Sequence, residues 1–272
     1  MNDVSVIIIV KGRRIALLNT LSGLERGHEL PAEVVLVHMN ETPCTLPEYS
    51  FPCSRHRLET QHPIPLAAGR NKGRSLAKHQ RLIFLDVDCI PCPSLIASYG
   101  AAWDDNALLS GQIRYLSKTA PTKENFPGSL EALSVADPIR SGIESLPYEL
   151  FWSLNFGCSQ KVFDTIGGFD ENFTGYGAED TDFAFRAREK GIPIRNVGAK
   201  AYHQHHKSYS PPINHISDIV VNARRFYEKW KTWPMEGWLH TFTAMGLIKW
   251  EDNLIELLRF PTKEEMNCSL KR

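Results

Sequence analysis

The chain has 272 residues, with 31 acidic and 31 basic side chains, and 42% of its residues are hydrophobic. It is long enough to bury a core of its own, and its zero net charge gives no electrostatic reason to expect a nucleic-acid or membrane-surface partner. No apolar stretch approaches the roughly 20 residues of a membrane span, and a basic signal-peptide start is missing, so we expect a cytoplasmic protein.

The first hundred residues alternate predicted strands and helices. The β-branched run Val4–Val10 predicts a buried strand, residues 15–24 a helix and residues 33–37 a second strand. Residues 41–66 contain five prolines and predict a long irregular loop, and residues 67–79 predict a helix with a basic face. Such alternation predicts a mostly parallel sheet flanked by helices.

Two aspartates follow the apolar run of residues 82–85. Ligands of such sheets bind beyond the carboxyl ends of the strands, which is where Asp86 and Asp88 would lie. Alternation along a strand would point both carboxylates to one side, and a bridging Mg²⁺ or Mn²⁺ would neutralise them. The alternative is a pair of solvated aspartates at the end of a strand. Cys89 and Cys92 follow with C-x-x-C spacing, but no second such pair completes a zinc site.

The second half contains a glycine-rich stretch before a predicted helix at residues 179–190. Glu179, Asp180 and Asp182 occupy its first turn, where acidic residues are favoured for structural reasons alone. A carboxylate there could also act as a general base, and the helix N-terminus favours its ionised form. Tyr176, between two glycines, offers a flat face for a sugar ring.

A histidine cluster follows a strand predicted at residues 194–202. Alternation puts His203 and His205 on one face, and imidazole ligands suit Mn²⁺ better than Mg²⁺. A solvated loop is the alternative. Beyond His206, tryptophans at helical spacing between residues 222 and 250 predict two or three helices. These helices would cover the sheet, or would recognise an acceptor or contact another subunit in a homo-oligomer.

Together these motifs resemble the inverting glycosyltransferases of family 2, which have the GT-A fold, and the second half resembles a galactosyltransferase C-terminal module. The resemblance rests on the first strand and on five short sequences: AGRNKG at 68–73, DVD at 86–88, NFGC at 155–158, IGGFDE at 166–171 and GAED at 177–180, followed by YHQ at 202–204. It implies an α/β, Rossmann-like GT-A domain over residues 1–207. Residues 1–100 would bind the nucleotide sugar, residues 101–207 would hold the acceptor and the catalytic groups, and residues 208–272 would form a C-terminal helical extension.

The resemblance also implies roles for single residues. Asp180 would be the catalytic base, and Glu179 would hold the acceptor or the donor sugar. Asp88 and His203 would bind Mn²⁺ or Mg²⁺, with Asp86 and His205 as further candidate ligands. His206, one residue further on, stays an alternative to His203 and His205. The donor would be a nucleotide-diphosphate sugar, most simply a UDP-sugar, and the acceptor a carbohydrate or another hydroxyl compound. The positions assigned to the donor are Val10, Arg13, His38, Asn40, Arg70, Asn71, Asp86, Val87 and Tyr176.

The chain departs from the family pattern at three places. Tyr176 and Ala178 stand where the family often has Trp and Gly, and His38 to Asn40 replace the Asp that commonly reads the base. Two alternatives stay open. A nucleotidyltransferase or nucleotide-sugar pyrophosphorylase would show a basic phosphate loop, of which residues 11–14 are a faint version. A non-catalytic carbohydrate-binding module of the same fold would have no need of the carboxylates.

Overall fold

The computed structural model describes residues 3–118, 120 and 130–271. Its central feature is a mixed sheet of nine strands in the described part of the chain. The strands are β1 (Val4–Val10), β2 (Glu33–Met39), β3 (Cys53–Leu58), β4 (Arg81–Leu85), β5 (Cys89–Pro91), β6 (Leu108–Leu116), β7 (Ser134–Ala136), β8 (Asn155–Ser159) and β9 (Ile194–His203). They follow the order β3-β2-β1-β4-β8-β6-β9-β5, and β7 pairs with β6.

Helices lie between and after these strands. They are α1 (Arg14–Glu25), α2 (Leu66–Leu76), α3 (Leu95–Ala101), α4 (Gln160–Ile166), α5 (Glu179–Glu189), α6 (Ile216–Trp230), α7 (Glu236–Ala244) and α8 (Lys263–Ser269). Two short two-stranded sheets complete the described C-terminal part. One pairs β10 (Ser208–Tyr209) with β13 (Leu270–Lys271), and the other pairs β11 (Ile248–Glu251) with β12 (Leu254–Leu257).

Strand β1 is buried along its whole length because helices cover both faces of the sheet. Alternate residues point to opposite sides: Val6 and Ile8 pack in one layer with Leu17 of α1, and Ile7 packs in the other with Ala67 of α2. This arrangement explains why every residue of β1 except Ser5 is apolar. Strands β1 to β4 are all parallel, as expected for β1, β2 and β4.

Strand β8 changes the direction of the sheet because it runs antiparallel to both of its neighbours, β4 and β6. Strands β6 and β9 are again parallel to each other, whereas β5 and β7 are antiparallel to theirs. The predicted α/β fold is confirmed, with a sheet that is more mixed than expected. No helix in the described ranges is long and apolar enough to cross a membrane.

Two elements differ from the sequence-based expectation. Strand β3 lies inside residues 41–66, for which an irregular loop was predicted. It is the edge strand, so its side chains are partly exposed and its sequence, CSRHRL, lacks an apolar run. The predicted C-terminal helices are present as α6 and α7, but the β11–β12 hairpin was not predicted. The described extension forms a hydrophobic cluster of its own around Ile219, Leu239 and Phe242.

Candidate functional site

Asp88 lies at the centre of a cluster of cationic and imidazole side chains. Its carboxylate is almost fully buried, and its Oδ2 atom pairs with the guanidinium of Arg13. The same oxygen lies 3.7 Å from Nε2 of His203 and 3.4 Å from Nε2 of His206. One buried carboxylate oxygen therefore faces three nitrogen-bearing side chains.

Asp88, His203 and His206 form a candidate metal centre, since one ligand atom from each lies within 4.8 Å of the others. Burial lowers the pKa of His203 to about 4 and that of His206 to about 4, so both imidazoles are neutral at neutral pH. Neutral imidazole and carboxylate are the form in which these groups bind metals, and such a mixed set suits Mn²⁺. Asp88, His203 and His206 thus fit the predicted Mn²⁺. His205, a predicted ligand, lies outside this cluster.

The backbone explains why His206 approaches Asp88. Strand β9 ends at His203, which pairs in register with Cys89, the residue directly after Asp88. The backbone N–H of Gln204 still donates to the carbonyl of Asp88 at 2.8 Å in the same register, but residues 204–207 no longer form a strand, so alternation does not extend to His205 and His206. The buried amide of Gln204 then donates to the carbonyl of Ala16 at 3.0 Å. Gln204 fixes the histidine segment against α1, a role that the sequence analysis did not assign.

Asp86 has partners of its own and is not part of the metal cluster. Strand β4 ends at Leu85, so alternation does not carry both aspartates to one side. The Asp86 carboxylate is partly exposed, and its Oδ1 atom lies 3.5 Å from Nη2 of Arg70. The Nη1 atom of the same buried arginine donates to Oε1 of Glu179 at 3.2 Å. Arg70 thereby joins the end of β4 to the start of α5.

The carboxylate of Asp180 lies at the first turn of α5. The side chain is partly buried, and its Oδ1 atom accepts a hydrogen bond from the backbone N–H of Thr181 at 2.8 Å. Burial, and after it the negative charge of Glu179, raises the pKa of Asp180 to about 7, against the opposing effect of Arg70. Burial thus outweighs the helix N-terminus, which was expected to keep this carboxylate ionised. Asp180 exchanges a proton near neutral pH.

Asp182, the third acidic residue of this turn, is held by structural partners. It is fully buried and forms ion pairs with Arg186 at 2.9 Å and with Lys229 at 2.7 Å. The indole Nε1 of Trp230 donates to it at 2.9 Å. Since its oxygens are engaged inside the protein, Asp182 serves packing of α5 against α6.

The predicted donor-binding positions fall into two groups. Arg13, Arg70, Asp86 and the partly exposed Tyr176 line the region between the two carboxylate sites. The other five lie in the protein interior or bind neighbouring backbone: Val10, His38, Asn40, Asn71 and Val87.

His38 and Asn71 illustrate the second group. His38 is fully buried, and its Nδ1 atom lies 3.0 Å from the carboxylate of Glu41. Glu41 in turn accepts a hydrogen bond from the backbone N–H of Gly12 and so connects the ends of β1 and β2. Asn71 exchanges two hydrogen bonds with the backbone of Phe169, at 2.9 and 2.8 Å. Both side chains support loops around the site.

Tyr176 contacts the C-terminal extension. Its ring stacks on His215, with centroids 4.6 Å apart, and on Trp238, with centroids 5.9 Å apart. At least one face of the ring is therefore covered by protein and closed to a sugar.

Comparisons with known proteins agree with this architecture. A family model described as the N-terminal domain of galactosyltransferase matches residues 141–207, which include the glycine loop, α5 and β9. Chondroitin synthase of Escherichia coli is 31% identical over 169 residues, which are 51% of this chain and 25% of that protein. Validoxylamine A glucosyltransferase of Streptomyces hygroscopicus subsp. jinggangensis is 26% identical over 193 residues, 60% of this chain and 44% of that protein. The chain thus spans less than half the length of these relatives.

Solved structures share the fold at low sequence identity. TarS 1–349 of S. aureus in complex with UDP-GlcNAc superposes with a TM-score of 0.58 at 15% identity, covering 82% of this chain and 66% of that one. GalNAc-T7 with UDP, GalNAc and Mn²⁺ gives a TM-score of 0.50 at 14% identity, covering 89% and 56%. At these identities the likeness concerns the fold alone. The matched segment and the named relatives are those of glycosyltransferases, so the chain resembles these enzymes over part of its length and shares the GT-A fold of the solved structures.

Proposed function

We propose that the protein transfers a sugar from a UDP-sugar to an acceptor hydroxyl with inversion at the anomeric carbon, in a reaction that depends on a divalent metal. The acceptor would be a carbohydrate or another hydroxyl compound. One observation carries the proposal: the buried guanidinium of Arg70 contacts both Asp86, two residues before Asp88 of the candidate metal centre, and Glu179, the residue before the proton-accepting Asp180.

The cationic site suits the diphosphate of a donor. Arg13 stands at the turn after β1, and its side chain is 39% exposed, so it can reach a bound anion. Asp88, His203 and His206 would hold Mn²⁺ or Mg²⁺. When bound, such an ion stabilises the negative charge of a departing diphosphate.

Asp180 suits the role of general base. Its pKa of about 7 lies near the pH of most cells, where a group both accepts a proton readily and is sufficiently ionised. It would take the proton of the acceptor hydroxyl as that oxygen attacks the anomeric carbon. Glu179, fixed by Arg70, would orient the sugar beside it. The relatives are themselves named as glycosyltransferases or polysaccharide synthases, and they offer the nucleotidyltransferase alternative no support.

The variant Asp180→Asn tests the proposal, because it keeps the shape of the side chain and removes its basicity. We expect kcat to fall about 10²- to 10⁴-fold while UDP affinity changes little. The assay measures UDP release from a panel of UDP-sugars with Mn²⁺ and candidate acceptors. In the wild type, kcat should rise with pH through about 7 and level off above it, since the base must be ionised. Asp164→Asn is the control: this carboxylate pairs with Arg74 on the surface and should leave kcat unchanged. Retention of more than about a tenth of kcat in Asp180→Asn would move the base elsewhere.

A further inference from the structure

Helix α6 of the extension holds the glycine loop that leads into α5. The side-chain amide of Asn222 is buried and donates to the carbonyl oxygens of Thr174 and Gly177, both at 2.9 Å. The same amide donates a longer hydrogen bond, of 3.4 Å, to the carbonyl oxygen of Tyr176. One side chain thus ties three backbone carbonyls within four residues.

The glycines of this loop fit the approach of the extension. Gly175 and Gly177 both have positive φ angles, 73° and 100°. A Cβ atom at Gly175 would lie 2.3 Å from the carboxylate of Asp218 on α6, and one at Gly177 would lie 2.9 Å from the sulfur of Met235. A side chain at either position would be strained by the positive φ angle and would force Asp218 or Met235 to move. The close approach of the extension therefore accounts for glycine at both positions.

The position of the loop determines the position of the proposed catalytic carboxylates. Ala178 is the N-cap residue of α5, with φ of 70°, and no side chain caps the helix there. Glu179 and Asp180 follow at once as the first two residues of the helix. A shift of the loop therefore moves both carboxylates relative to the site around Asp88.

The buried amide of Asn222 lowers the stability of the folded state through its oxygen. Its Oδ1 atom is buried and has no hydrogen-bond partner among the described residues. A buried, unsatisfied polar atom costs about 1–3 kcal/mol. An apolar side chain of the same size would avoid that cost but would leave the loop carbonyls without a donor. The hydrogen bonds that the N–H groups of Asn222 donate to the loop therefore explain why an amide occupies this buried position.

We propose that Asn222 is a positioning residue for the transfer reaction, which holds the loop of residues 174–178 and, through it, Glu179 and Asp180. The inference rests on the proposed function. It assigns to the C-terminal extension a part in the chemistry of the domain that precedes it, since the residue that fixes the loop belongs to α6.

The variants Asn222→Ala and Asn222→Ser test this role. A loop displaced by about 1 Å can lower a rate about 100-fold. We expect kcat to fall about 10- to 100-fold for Asn222→Ala and less for Asn222→Ser, which keeps one donor. The KM for the donor and the Mn²⁺ affinity should stay within about threefold of wild type, because the hydrogen bonds of Asn222 go to the loop carbonyls and not to Asp88, Arg13 or the histidines. Hydrogen exchange of the amides of Gly177 and Ala178 should accelerate.

A matched control is Asn196→Ala. Asn196 likewise donates to two loop carbonyls, those of Ile143 at 2.7 Å and Glu144 at 3.2 Å, but in a different part of the molecule. The kcat of the Asn196→Ala variant should equal that of the wild type. If Asn222→Ala does not fold, the serine variant carries the test. A folded Asn222 variant with kcat within twofold of wild type would overturn the inference, as would equal losses in kcat and donor binding.

The two proposals fail in different ways. If Asp180→Asn remains active, the base lies elsewhere and the mechanism proposed for Asp180 is wrong. If Asp180→Asn is inactive while the Asn222 variants turn over normally, only the role of Asn222 is wrong.

Discussion

Replacing Arg13 with methionine should strengthen the binding of Mn²⁺. The guanidinium pairs with Oδ2 of Asp88, the oxygen that faces both imidazoles of the candidate centre, so a divalent ion must compete with this side chain. Methionine keeps an unbranched side chain of similar length and removes the charge. The same change should weaken the binding of UDP in the absence of metal, because it removes a cation from the site proposed for the diphosphate.

The magnitude follows from the burial of the pair. A hydrogen bond between charged groups contributes about 1.5–3 kcal/mol when protected, and an exposed ion pair contributes about 0–1 kcal/mol. Asp88 is buried but the Arg13 side chain is 39% exposed, which puts this pair between the two cases, at about 1–2 kcal/mol. Removing the competitor should therefore lower the Kd of Mn²⁺ about 5- to 30-fold.

Calorimetric titration of the nucleotide-free protein with Mn²⁺, and separately with UDP, measures both effects. Arg14→Met, a change of the exposed next residue, serves as the control and should leave the Mn²⁺ affinity at the wild-type value. An unchanged or weaker Mn²⁺ affinity in Arg13→Met would refute the competition between this side chain and the ion.

Two further predictions concern other parts of the site. His206→Ala should weaken Mn²⁺ binding and raise the metal concentration needed for activity, while His205→Ala should not; a metal titration of both variants that showed the reverse would return the ligand to His205. Ala178→Gly should change the free energy of unfolding by less than about 1 kcal/mol. Glycine removes the strain of the left-handed backbone, which is worth about 1–2 kcal/mol. This gain is offset because a buried methyl group is lost and the unfolded chain becomes more flexible. Ala178→Val should instead destabilise the protein by at least about 2 kcal/mol in chemical denaturation, since a β-branched side chain combines strain with overpacking; a neutral valine would contradict the strain.

The parts of the fold that could be predicted are those where local sequence and burial agree. Strands β1, β2 and β4 are covered by helices on both faces, so each contains an apolar run that is followed by polar residues at its carboxyl end. Asp88 was found in this way, because the end of a buried strand is itself a strong signal. Strand β3 gave no such signal, since it lies at the sheet edge and forms through backbone pairing with β2.

The remaining parts of the site depend on contacts that no local pattern encodes. His205 was placed beside His203 on the assumption that strand geometry continues past His203, whereas residues 204–207 leave the strand and His206 approaches Asp88. No local pattern distinguishes Asn222, which is one of several polar residues of α6. Its role arises from where α6 packs.

The hydrogen bonds from Asn222 of α6 to the glycine loop also have a consequence during translation of the chain. Asn222 is added about 42 residues after Asp180, which at about 5–20 residues per second is an interval of about 2 to 8 seconds. His206 is added 16 residues before Asn222, so for about the last 1 to 3 seconds of that interval the nascent chain contains the candidate metal ligands and both carboxylates, while the loop has no amide to hold it. From the role proposed for Asn222, we expect transfer activity only after α6 has been synthesised and has packed against the loop.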